Sequence, residues 1–81
     1  MPPRRSRPEE IGVRGEAIYR EKIRPLVEPA QTGKFVVIDV DSGDYEIDAE
    51  VLAASARLRE RRPGAVSYGV RVGHSAAYSL G

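Results

Sequence analysis

The chain has 81 residues, 13 Lys and Arg against 12 Asp and Glu, a net charge of +1, one histidine and no cysteine. That length predicts a single domain with a modest core, and the composition excludes disulfides, thiolate metal sites and His-rich zinc sites. The near-neutral balance argues against a dedicated nucleic-acid binder; no apolar run nears the roughly 18 residues of a membrane span, and no signal-peptide core opens the chain, so a cytoplasmic protein is expected.

Residues 1–8, MPPRRSRP, carry three prolines and three arginines and predict a disordered basic arm. Residues 9–32 read as an N-terminal helix and linker. Ile11, Ile18, Ile23, Leu26 and Val27 recur at roughly helical spacing with Tyr19 beside them, and Glu9 and Glu10 suit a helix start. Gly12 and Gly15 weaken the first half by about 1 kcal/mol each relative to alanine, so the firm helix is expected from Glu16 to Arg24 after a frayed beginning. Pro25 should end or kink it.

Residues 33–81 predict a ββαββ unit. Lys34–Val40, KFVVIDV, is β-branched and apolar on both faces, as in an interior strand. Ser42-Gly43 separates it from the shorter run Tyr45-Glu46-Ile47. Asp48 stands as a helix cap before AEVLAASARLRERR, in which Val51, Leu52, Ser55 and Leu58 are expected on one face. Pro63-Gly64 stops this helix. Val66, Tyr68, Val70 and Val72 alternate with Ser67, Gly69 and Arg71 in a third strand, and Ala76–Leu80 offers a fourth after the turn at His74. The fold class is therefore α+β in the order α-β-β-α-β-β, with a four-stranded, largely antiparallel sheet and a helix on one face. The other face needs the N-terminal helix, a partner or a second protomer to cover it.

The stretch VVIDVDSGDYEIDAE, residues 36–50, admits three readings. As a calcium loop it has acids at the first, third and twelfth positions, but it lacks the central glycine and follows a strand, not a helix. As an aspartic-protease turn, VIDVDSG resembles the signature of retropepsin-like enzymes, yet charged Asp44 follows and a helix comes directly after. As a hairpin turn, Ser42 and Gly43 have the conformations a reversal needs, with Asp41 placed to cap it and the acids facing water. The hairpin is the reading adopted, with no metal site and no catalytic residue expected.

Charge is unevenly placed. Residues 39–50 contain six acids and no base, and residues 57–62 contain Arg57, Arg59, Arg61 and Arg62 against one acid. The arginines are candidate phosphate contacts, although some are explained by the negative pole of their own helix, and no aromatic residues interleave with them. The acidic block could steer a basic partner surface.

Residues 33–73, GKFVVIDVDSGDYEIDAEVLAASARLRERRPGAVSYGVRVG, resemble short bacterial proteins that look antitoxin-like. The β-β-α-β order is similar to the partner-binding domain of HicB-type antitoxins, without their Gly-Cys motif. The resemblance implies regulation by binding and no catalytic residues. The expectation is a small non-enzymatic bacterial interaction protein without cofactors that masks a protein partner, with Ile18, Tyr19, Ile23 and Leu26 as the contact. A nucleic-acid-associated regulator using the arginine ridge and a sheet-mediated homodimer are the alternatives.

Overall fold

The computed structural model describes residues 8–73 and 77–80, with side chains for residues 10–73. It is an α+β fold. A helical segment, α1 (Pro8–Ile18), a π-turn (Tyr19–Ile23) and α2 (Arg24–Val27), precedes β1 (Phe35–Asp39), β2 (Tyr45–Asp48), α3 (Val51–Arg61), β3 (Ser67–Arg71) and β4 (Ala77–Leu80). The strands are antiparallel in the order β2-β1-β3-β4.

β1 is interior because it has apolar groups to bury on both sides. Val36, Ile38 and Val40 join Tyr68, Val70 and Val72 of the adjoining strand on one face, where Tyr19, Ile23 and Val27 of the helical segment close over them. Val37 points the other way, to Ala54 and Leu58 of α3. The sheet thus lies between two helical layers, and the face the sequence left open is covered from within the chain. Among the residues whose side chains are described, the two layers are unequal, with nine buried residues in the first cluster and three in the second, so burial there favours the N-terminal layer by several side chains at about 1.5–3 kcal/mol each.

Three local expectations change. The stretch before Glu16, expected to fray, is regular helix from Pro8 and runs through Gly12 and Gly15. A Cβ on Gly15 would lie 2.3 Å from Tyr68 Cγ and 2.7 Å from Tyr68 Cβ, so this glycine lets the helix approach the sheet. The helix also passes Pro25 and continues to Val27. Just before it, Arg24 N–H bonds back five residues to the Tyr19 carbonyl. This wider turn makes room where proline has no N–H to give and its ring would crowd a normal turn. In α3, Leu52 is 78% exposed, and the buried set is Ala54, Ser55 and Leu58 with Val51 packed alongside. Positions 51, 54, 55 and 58 follow the i, i+3, i+4, i+7 stripe; position 52 falls off it.

Candidate functional site

The two charge blocks meet each other. Asp44, Glu46 and Asp48 are spaced by two along the second hairpin arm and project to the side of the sheet that α3 covers. Arg57 and Arg61 are four apart on α3. Alternate strand residues repeat about every 6.6 Å and helical residues four apart about every 6 Å, so the two ladders interlock. Arg57 Nε donates to Glu46 (3.0 Å) and its Nη1 to Asp48 (2.9 Å). Arg61 Nε donates to the other oxygen of Glu46 (2.9 Å), and its Nη1 bonds Asp44. Arg62 Nε reaches Asp44 at 3.2 Å.

The same guanidinium groups bind backbone. β1 is hydrogen-bonded to the hairpin's return arm through Asp39 N–H, which donates to Asp44 C=O at 2.8 Å. By antiparallel alternation, the N–H and C=O of Tyr45 and Ile47 therefore point away from the sheet at the β2 edge. Arg61 Nη2 donates to Tyr45 C=O (3.1 Å), and Arg57 Nη2 donates to Ile47 C=O (2.7 Å). Tyr45 N–H is taken by the Asp44 carboxylate at 3.0 Å. An edge that would otherwise offer a row of unpaired groups is largely closed by side chains of its own chain.

The acids' protonation follows from these bonds. The Arg61 hydrogen bond, helped by Arg62, holds the Asp44 carboxyl below its ordinary value. Arg57 and then Arg61 do the same for Glu46. Asp48 is lowered first by the Glu50 amide and then by Arg57. Each arginine retains about half of its side-chain exposure, so no single pair is worth much, but shared carboxylates and forked contacts make a network.

Asp39 corrects the expectation that these acids fan into water. It is 5% exposed and accepts hydrogen bonds from Ser42 Oγ (2.8 Å) and from the amides of Asp41 and Val66 (both 3.2 Å). The hairpin reversal is real, with Gly43 at φ +83°, but Asp39 caps it, not Asp41. Asp41 instead faces Arg14, 3.5 Å away. Asp48 accepts from Glu50 N–H at 2.8 Å, while Glu50 occupies the helix-cap position without a side-chain bond.

The expected sites separate. Tyr19 (6% exposed) and Ile23 (1%) lie in the core, so neither presents a contact to a partner; the alternation of the sheet calls both inward. Ile18 packs partly against that core, and Leu26 is 71% exposed. Tyr19 Oη donates to Glu28 at 2.8 Å. Burial and this bond push the Tyr19 hydroxyl up to about 12. Of the four arginines, Arg57, Arg61 and Arg62 are engaged by carboxylates. Arg59 donates to Ser55 Oγ at 2.8 Å and borders a shallow, open depression with Ala56 and Glu60. His74 lies outside the described residues.

Among the described residues, no group of three His, Asp or Glu side chains is placed to hold a metal ion, and no helix is long and apolar enough to cross a membrane. The chain matches no family model, no curated protein and no solved structure. The signal for the clamp was present in the sequence as acids at 44, 46 and 48 and arginines at 57 and 61, two periods that fit each other.

Proposed function

We propose that this chain is a small non-enzymatic binding protein that masks a protein partner, in the manner of an antitoxin, by taking an extended segment of that partner along the edge of its sheet. The observation that carries this reading is the difference between the two edges. At β2 three outward backbone groups, the Tyr45 N–H and the Tyr45 and Ile47 carbonyls, are held by Asp44, Arg61 and Arg57. At β4, no further strand follows among the described residues, and the register turns the backbone groups of Ala77 and Ser79 outward. Strand addition uses main-chain hydrogen bonds for affinity, so an edge strand with outward-turned backbone groups suits it. The engagement of Arg57, Arg61 and Arg62 by carboxylates weighs against the nucleic-acid reading, since each phosphate contact would first have to displace an internal ion pair.

The test is co-purification from the native host with Ser79→Pro and Leu26→Glu variants. Ser79→Pro deletes an outward donor and spares the ladder to β3, so a stoichiometric partner should be lost while the melting curve stays close to that of the parent. A partner released by Leu26→Glu alone moves the contact to the helical segment. A partner retained by both variants defeats the proposal. If the purified chain is instead a dimer that Ser79→Pro converts to a monomer, the edge serves a second copy of the chain.

A further inference from the structure

We infer that α3 is a releasable layer, clamped to the sheet by charge more than by apolar burial, which undocks as a unit while the N-terminal helical segment and the sheet stay folded. Three observations carry this. Among the residues whose side chains are described, the apolar contact under α3 is small, with Val37, Ala54 and Leu58 buried and Val51 and Ala65 at its margin. The opposite layer buries Tyr19, Ile23 and Val27 against six residues of β1, β3 and their flanks, and depends on nothing in α3. The remaining attachment of α3 is the fork of Arg57 and Arg61 onto three carboxylates and two backbone carbonyls, with Arg62 added.

Such a clamp answers to acid and to salt. The titratable and charged groups on the elements that meet there are Asp44 just before β2, Glu46 and Asp48 in β2, Asp39 in β1, and Glu50, Arg57, Arg59, Glu60, Arg61 and Arg62 in α3 and at its ends. Asp39 is held by Ser42 and two amides, not by an arginine. Because the carboxyls of Asp44, Glu46 and Asp48 are lowered in the folded chain, their contribution is complete above the ordinary carboxylate range and is lost as pH falls through their lowered values. Undocking would uncover Val37 and free the Tyr45 and Ile47 carbonyls at the β2 edge, adding a second place for strand pairing. It is thus a conformational switch independent of the edge at β4.

Amide hydrogen exchange of the full chain, corrected for intrinsic rates, tests this stepwise from about pH 7 to about pH 2 in low salt, and at about pH 7 with salt raised from about 0.01 M to 1 M, which shortens the screening length from about 30 Å to 3 Å. Amides of residues 54–61 should lose about tenfold or more of their protection under acid and under salt, while those of Val36, Ile38, Tyr68 and Val70 keep theirs. The Arg57→Ala/Arg61→Ala variant should show the loosened α3 already at neutral pH and little further response. The inference is overturned if α3 and the sheet lose protection together, if α3 is unmoved by acid and salt, or if the double variant does not fold at all. In the last case α3 and the sheet are one cooperative unit. Arg62→Ala, which removes only the outermost contact, distinguishes that result from a general intolerance of substitution in this helix.

Discussion

Gly15 and Asp39 show how single residues acquire roles from contacts far along the chain. As a helix residue Gly15 costs about 1 kcal/mol relative to alanine. The Tyr68 side chain fills the space its Cβ would take, and the close atoms include Tyr68 Cβ and Cγ, which cannot swing aside as a side-chain tip could. Gly15→Ala should therefore destabilise the fold despite improving helix propensity, by about 1–3 kcal/mol in urea unfolding. An unchanged or raised midpoint would mean the helix can shift away from β3 at little cost. Asp39 is the inverse case, an acid that reads as a surface group in sequence and is buried because three donors converge on it.

At the scale of elements, α3 shows most clearly what apolar and charged faces each contribute. Its inner stripe has Leu58 fully buried, and Leu52 on the outer side is 78% exposed. Leu58→Ala should cost about 2–5 kcal/mol and Leu52→Ala less than about 0.5 kcal/mol, measured by denaturant titration. Equal costs would put the helix in a different rotational phase. The helical segment before the sheet shows a complementary lesson. Pro25 predicts an end or a kink from local sterics; Val27 has a buried site to fill on the far side of it, and a wider turn at Tyr19–Ile23 carries the helix across. Packing outweighs the local preference because the turn supplies the room that proline needs.

For the whole molecule, charge sets a pH range of stability bounded on both sides. On the acid side the boundary comes from Asp44, Glu46 and Asp48, joined by Glu28, whose carboxyl is lowered chiefly by the Tyr19 hydroxyl. On the alkaline side, Tyr19 stays protonated up to about 12 in the folded chain, whereas an unfolded tyrosine ionises near its ordinary value of 10.0. A raised value of this kind gives stability that is complete below the unfolded value and disappears as pH rises towards the folded one. Urea midpoints should thus be level near neutrality and fall between about pH 10 and about pH 12. Tyr19→Phe should flatten that fall, leaving the smaller part due to Tyr68, which burial also shifts upward. A fall of the same size in the variant would assign the alkaline limb elsewhere.

The α+β class, the interior character of VVID, the alternation of Val66, Tyr68, Val70 and Val72, and the reversal at Ser42-Gly43 are all legible in the residues alone. Each rests on local periodicity or backbone freedom, properties that need no distant neighbour to be read. What the charges do follows from the folded arrangement. Two blocks separated in the sequence, each legible as a surface for some other molecule, neutralise one another because β2 and α3 bring ladders of nearly equal pitch face to face. Likewise Tyr19 and Ile23 are apolar in any reading, but whether such a face meets a partner or its own sheet is settled by chain connectivity and by the uncovered side of β1 and β3, which composition and spacing do not encode.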